Sequence, residues 1–278
     1  MRIIKVLNQN AVIVMDNDQE KIAVGKGIGF NRKKETRLSL KDVERLFSME
    51  PEGQRKLQNL LKKIDEASFL ASETIIAYAE KVLGEKLNEH INISLSDHIA
   101  FAAENIRDQI VIKNKLLREI EMLYPEEFAI SQWAVDYLTQ TLDLPFDYDE
   151  AGYIAIHITS ARKGHISKEK SIREVTFVSE IIKFIEAELK IDLHTVEMNM
   201  DYSRLVSHLR LLLERSFHKD YTFIDPEMFE TIKNKYKESY KLSKKITVVL
   251  SRDYHFSIPD DELGFLTIHI ERLRQTKK

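Results

Sequence analysis

An internal repeat constrains the fold of this chain more than any other feature of its sequence. Residues 149–162 (DEAGYIAIHITSAR) match residues 261–274 (DELGFLTIHIERLR) at seven of fourteen positions, and residues 95–99 (LSDHI) match 205–209 (LVSHL) less closely. From residue 57 onward, apolar residues recur three or four positions apart, which is typical of amphipathic helices. The repeat therefore predicts one all-helical module that is used twice.

The first 56 residues follow a different pattern. Short β-branched runs at 2–7, 11–15 and 20–25 are separated by turn-forming residues, and residues 43–47 could return as an edge strand before a polar turn at 51–53. We therefore expect a multidomain protein, in which a small antiparallel β domain is followed by two homologous all-α helical-bundle domains. The expected boundaries are 1–56, 57–170 and 171–278, with a charged linker at 163–170.

Composition excludes several classes of function. The chain has 42 Lys and Arg against 45 Asp and Glu, which excludes a uniformly basic nucleic-acid-binding protein but permits a local basic region. The absence of cysteine excludes disulfides, thiolate metal sites and cysteine nucleophiles. No apolar run approaches the roughly 20 residues of a membrane helix, and the first residues do not resemble a signal peptide. We expect a cytoplasmic protein.

Four histidines occupy matching places in the two modules. His98 and His157 lie 59 residues apart in the first module, and His208 and His269 lie 61 apart in the second. A packed core role would explain any one of them. Two matched histidines in both modules instead indicate a function.

Three functions are open to such histidines. A metal site needs three or four ligands, and neither module has closely spaced histidines. Hydrolysis needs a nucleophile, a base and an oxyanion site together, and the duplicated acids at 149–150 and 261–262 are better suited to helix starts. A neutral imidazole can accept a phosphoryl group with fewer helpers. Asp97 could orient the neighbouring His98, and Arg204 could pair with a phosphate on His208.

The β domain carries a separate signal. Residues 25–37 (GKGIGFNRKKETR) form a basic, glycine-rich segment. Cations that neutralise phosphates, amides that bond base edges and a ring that stacks on bases are typical of an RNA-binding surface, although a solvated, turn-rich face would also contain these residue types. The candidate contacts are Lys5, Asn8, Asn10, Lys26, Phe30, Arg32 and Lys33.

These motifs resemble those of the sugar-responsive transcription antiterminators of the BglG, SacY and LicT family. The resemblance rests on residues 3–10 (IIKVLNQN), on residues 25–30 (GKGIGF) and on the four repeated histidines. It implies a dimeric RNA-binding co-antiterminator domain followed by two phosphotransferase-system regulation domains. It also implies that phospho-HPr or a sugar-specific permease phosphorylates the histidines.

We therefore expect a homodimeric antiterminator, not an enzyme, that binds a hairpin in nascent mRNA and prevents formation of a terminator. By the resemblance, Asn10, Gly27 and Phe30 are the main RNA contacts, and Lys5, Asn8 and Lys26 support them. We expect neither a metal nor a cofactor. The alternatives are a DNA-binding activator with the same regulatory modules and a histidine-based metal hydrolase.

Overall fold

The computed structural model describes residues 1–17, 19–48, 51–60, 63–162, 168–218, 223–254 and 258–276. Within these ranges, four strands are followed by eleven α-helices. The predicted order, a small antiparallel β region followed by helical bundles, is confirmed. None of the described helices combines the length and the apolar character needed to cross a membrane.

The β region is a single antiparallel sheet. Its strands are β1 (Arg2–Asn8), β2 (Ala11–Asp16), β3 (Gln19–Val24) and β4 (Arg45–Phe47), in the spatial order β1-β2-β3-β4. The register places Ile13 opposite Ile22 and Ala23 opposite Leu46. The edge strand expected at 43–47 is confirmed as β4.

Apolar side chains cover both faces of this sheet, because successive residues of a strand point to opposite faces. One cluster contains Ile3, Val12, Val14, Ala23, Ile28 and Leu38. The other contains Ala11, Ile22, Val24, Phe47, Leu57 and Phe69. The second cluster includes residues beyond 56, so helical residues complete the core of the β region.

Two helices adjoin the sheet. Helix α1 (Pro51–Leu60) replaces the polar turn expected at 51–53, because proline is tolerated in the first turn of a helix. Helix α2 (Glu66–Leu83) follows Asp65, whose carboxylate accepts a hydrogen bond from the Ser68 amide at 2.8 Å. The Arg45 guanidinium lies 3.0 Å from Glu73 on α2, and burial raises the pKa of Glu73 to about 7.

The chain forms two compact units. Unit 1 comprises residues 1–115 and 126–168, and unit 2 comprises residues 116–125 and 169–278. Besides the sheet, α1 and α2, unit 1 contains α3 (Ile91–Arg107), α5 (Pro125–Leu142) and α6 (Asp149–Ala161). Unit 2 contains α4 (Leu117–Leu123), α7 (Lys168–Leu189), α8 (Asn199–His218), α9 (Pro226–Lys235), α10 (Lys237–Tyr254) and α11 (Asp260–Thr276).

The repeat is visible in the order of the helices and in one hydrogen bond that both modules share. Helices α3, α5 and α6 correspond in order to α8, α10 and α11. Asp149 accepts a hydrogen bond from the Asn114 amide at 3.0 Å, and Asp261 accepts one from the Ile224 amide at 3.2 Å. Asp149 and Asp261, which we expect at helix starts, therefore also bind the segments that lead into the short helices α4 and α9.

The two short helices depart from the repeat. Helix α9 packs against α10 and α11, whereas α4 packs against α8. Of the linker expected at 163–170, residues 163–167 lie outside the described residues, and residues 168–170 begin α7.

Candidate functional site

The two repeated histidines of each module lie next to each other. The ring centroids of His98 on α3 and His157 on α6 are 5.1 Å apart, with 29° between the ring planes. Those of His208 on α8 and His269 on α11 are 4.8 Å apart, with 28° between the planes. The repeat therefore preserves a stacked histidine pair, built across two packed helices in each module.

The first pair is bordered by a carboxylate and a hydroxyl. Nε2 of His98 lies 2.9 Å from Oε2 of Glu150, and Nδ1 of His157 lies 3.2 Å from Oγ of Ser94. Asp97, which we expected to orient His98, is exposed. Successive residues on a helix point about 100° apart, so the carboxylate that meets the imidazole is that of Glu150 on the facing helix.

The second pair has a different neighbour at the matching place. Glu262, the counterpart of Glu150, is fully buried and lies 2.8 Å from Nη1 of Arg215. Arg215 follows His208 by seven positions, where the first module has Asn105. Within the described part of the chain, Nε2 of His208 has no hydrogen-bond partner. The acid is thus paired with an arginine in this module.

Burial disfavours the charged form of both imidazoles of the second pair. Burial, with smaller contributions from His269 and the Arg215 cation, lowers the pKa of His208 to about 3. Burial and the nearby Arg272 and Arg204 cations also lower the pKa of His269. An uncharged ring nitrogen has the free electron pair that a phosphoryl acceptor requires.

A surface cavity opens onto the second pair. It has a volume of about 730 Å³, and its wall includes Arg204, His208 and His269. The predicted neighbour Arg204 therefore shares a cavity with both histidines. The rim carries Val196 and Met200, which are 89% and 64% exposed.

Sequence reasoning missed four residues that surround the pairs. They are Glu150, Arg215, Arg272 and Asp201, whose carboxylate lies 3.4 Å from the Arg204 guanidinium. Each lies on the same helix as one of the paired histidines or on its packing partner, so helical spacing from the repeated histidines would have found them. In the described ranges, no three histidine, aspartate or glutamate side chains are grouped closely enough to hold a metal ion.

The predicted RNA-binding residues lie in two segments that the structure joins. The glycine-rich segment packs on the turn between β1 and β2, where the Gly29 amide donates to the Gln9 carbonyl at 2.7 Å. A Cβ at Gly29 would collide with the Asn8 carbonyl, and Gly27 has a φ of 68°, a conformation that favours glycine. The close approach therefore requires glycine at position 29, while the backbone conformation favours glycine at position 27.

Exposure divides the predicted contacts. Lys5, Lys26, Gly27 and Phe30 are exposed, and Phe30 retains 60% of its accessible surface; Asn8 is partly buried. Asn10 is only 4% exposed.

The side-chain amide of Asn10 is hydrogen-bonded to two neighbours. The side-chain oxygen of Asn10 accepts a hydrogen bond from the Gly27 amide, and its nitrogen donates to the carboxylate of Glu66 on α2. Five of the six predicted residues thus lie at the surface, while the sixth is bonded to the first helical module.

Comparisons with known proteins agree along the chain. Residues 1–56 match the CAT RNA binding domain, and residues 73–161 and 179–273 each match the PRD domain. Transcription antiterminator LicT of Bacillus subtilis (strain 168) is 34% identical, over 98% of this chain and 99% of LicT. The beta-glucoside operon antiterminator of Dickeya chrysanthemi is 33% identical, over 99% of this chain and 97% of that protein. The crystal structure of GlcT CAT-PRDI is 34% identical with a TM-score of 0.55, covering 59% of this chain and 98% of that one.

Proposed function

The chain belongs to the BglG/LicT family of transcription antiterminators, and from this membership we propose that it binds a hairpin in nascent mRNA and prevents formation of a terminator, under the control of histidine phosphorylation. Its relatives are regulatory RNA-binding proteins and not enzymes. The comparisons therefore favour neither the DNA-binding activator nor the metal hydrolase.

The stacked histidine pair carries the regulatory part of this proposal. It recurs in both regions that match the PRD domain, at centroid separations of 5.1 and 4.8 Å. His98, His157, His208 and His269 are the proposed phosphorylation sites, and phospho-HPr and a sugar-specific permease are the proposed donors. A phosphoryl group adds about two negative charges, which is enough to reorganise contacts around a half-buried ring.

The glycine-rich segment and the β1–β2 turn form the proposed RNA-binding surface. Its exposed cations can neutralise phosphates, and the exposed Phe30 ring can stack on an unpaired base. Asn10 becomes available to RNA when its bond to Glu66 opens. We assign this function to a cytoplasmic homodimer with domains at 1–56, 57–170 and 171–278.

One experiment on the full chain tests both parts. The protein is phosphorylated with labelled phospho-HPr, the acid-labile label is mapped to peptides, and binding to an RNA hairpin with internal unpaired bases is measured by gel shift. We expect label on a subset of the four paired histidines, and a change in RNA affinity upon phosphorylation.

Two matched substitutions separate the parts. Phe30→Ala removes an exposed ring and should weaken RNA binding by about 1–3 kcal/mol, the usual loss for one stacked base, without affecting phosphorylation. Phe223→Ala removes a comparably exposed ring from unit 2 and should leave RNA affinity unchanged. Label confined to His90 or His194, or equal RNA affinities for the two variants, would contradict the proposal.

A further inference from the structure

The second histidine pair has cationic neighbours where the first has hydroxyls. Arg204 precedes its histidine on α8 by four positions, and Arg272 follows its histidine on α11 by three. At the matching positions the first module has Ser94 and Ser160. Residues three or four apart share a helix face, so both arginines are positioned on the same side as the second pair.

One carboxylate bridges the two arginines. Oδ1 of Asp201 lies 3.4 Å from Nη1 of Arg204 and 3.5 Å from Nε of Arg272, while its Oδ2 accepts a hydrogen bond from Thr276 at 2.8 Å. In the ranges that the structure describes, no other carboxylate oxygen lies within 4 Å of either guanidinium. Asp201 therefore connects α8 to α11 next to the histidines that these helices carry.

This cluster is suited to a second anion. Two guanidinium groups and one carboxylate leave one net positive charge. Each guanidinium has five N–H donors, and one carboxylate oxygen can accept from only a few of them. The Arg204 and Arg272 side chains are 43% and 46% exposed. Arg204 and His269 both line the cavity of about 730 Å³, which is far larger than a phosphoryl group.

His269 is the more accessible acceptor of the pair. Both histidines line the cavity, but His208 is 8% exposed and its Nε2 is buried, whereas His269 is half-buried. A donor arriving through the cavity therefore meets the ring of His269 beside the arginine cluster.

We propose that Arg204 and Arg272 bind the phosphoryl group of phosphorylated His269, and that Asp201 occupies both arginines until that group arrives. The inference rests on the proposed function, in which these histidines accept phosphate. In the transfer, an unprotonated nitrogen of His269 forms an N–P bond as the donor's N–P bond breaks, and the electron pair of that bond returns to the donor's imidazole. One proton passes through solvent from His269 to the donor ring. The dianionic phosphate then competes with Asp201 for the two guanidinium groups.

A small-molecule donor tests this inference in the full chain without HPr. The protein is equilibrated with 1-phosphoimidazole and imidazole, and occupancy of His269 is measured by peptide mass spectrometry at neutral pH. The ratio of occupied to free His269, multiplied by the imidazole concentration and divided by that of 1-phosphoimidazole, gives an equilibrium constant for transfer.

The inference predicts opposite changes for the arginines and for the aspartate. Arg204→Gln and Arg272→Gln should each lower this constant about threefold to tenfold, as expected for a half-exposed charge-assisted contact. Asp201→Asn should raise it about threefold, because the competing carboxylate is gone. Arg210→Gln, which removes an exposed arginine elsewhere on α8, should leave it unchanged.

Three results would overturn the inference. They are absence of phosphate on His269, a lower constant for Asp201→Asn, and equal constants for Arg210→Gln and the two other arginine variants. A variant that merely disturbed folding would lower occupancy and could not produce the increase expected for Asp201→Asn. If 1-phosphoimidazole gives these results while phospho-HPr labels no paired histidine, the arginine site stands and the proposed regulation fails.

Discussion

The two histidine pairs share a geometry but not a charge environment. In the first module, Glu150 lies 2.9 Å from His98. In the second, the matching Glu262 is held by Arg215 at 2.8 Å, and two further arginines lie beside the pair. The repeat thus preserves the stacked histidine pair but not the charged groups beside it, and those groups determine how each module would respond to added negative charge.

This difference gives each module its own electrostatic response. A phosphoryl group on the first pair would add charge beside the Glu150 carboxylate, whereas one on His269 would meet arginines. By the family resemblance, we expect phosphate on the first module to disfavour the RNA-competent dimer and phosphate on the second to favour it. The different neighbours of the two pairs support responses of opposite sign.

The largest expected effect compares the two matching glutamates. Glu262→Ala leaves Arg215 without its buried partner and should lower the free energy of unfolding of unit 2 by about 3 kcal/mol. Glu150→Ala leaves a histidine, which can be uncharged, and should lower that of unit 1 by about 1 kcal/mol. Urea unfolding followed by hydrogen exchange in α11 and α6 measures both. Equal losses in the two units would show that the charge environments do not differ in energy.

The next largest expected effect is a loss of stability of unit 2 at acidic pH, which arises from His208. Burial lowers the folded-state pKa of His208 to about 3, below the value of about 6.5 in an unfolded chain. As the pH falls below 6.5, His208 becomes protonated in the unfolded state but stays neutral in the folded state. The contribution of His208 to the free energy of unfolding is therefore complete above that pH and is lost progressively toward pH 3. Between pH 6.5 and pH 5, unit 2 should lose about 2 kcal/mol through this group.

The pH dependence has its own control. His208→Gln should remove most of this slope, and the lowered pKa of His269 should account for part of what remains. Hydrogen exchange of α8 in urea, compared between pH 7 and pH 5, reports the loss. A His208 ring that titrates near pH 6.5 by NMR would contradict the assignment.

The smallest expected effect is a change in the RNA affinity of the sheet in unit 1. Glu66→Ala removes the carboxylate that holds the Asn10 amide and should raise RNA affinity about threefold, a change typical of one hydrogen bond. Glu89→Ala removes an exposed carboxylate of the same module that makes no hydrogen bond to Asn10, and corrects for the loss of negative charge. Gel shifts with one RNA hairpin compare the two variants. An equal gain in both would mean that the bond between Asn10 and Glu66 does not limit RNA binding.

The spacing of apolar residues predicted the architecture, and the internal repeat identified the four histidines as candidate functional residues. Both signals depend on spacing within the sequence alone. Neighbours across helices were harder to predict. Asp97 stands beside His98 in sequence, yet Glu150, 52 positions away, supplies the carboxylate, since helix packing decides which side chains meet. The prediction of a turn at 51–53 is wrong because proline occurs in the first turn of helices as well as in turns, and helix α1 begins there.

Helix α4 has a consequence for synthesis of the chain. Its buried residues Ile120 and Leu123 belong to unit 2, whose other helices begin at residue 168. The ribosome therefore completes α4 well before α8, the helix on which it packs, has been made. A fragment that starts at residue 169 would lack α4 altogether, so excision at the sequence repeat does not yield an intact second unit.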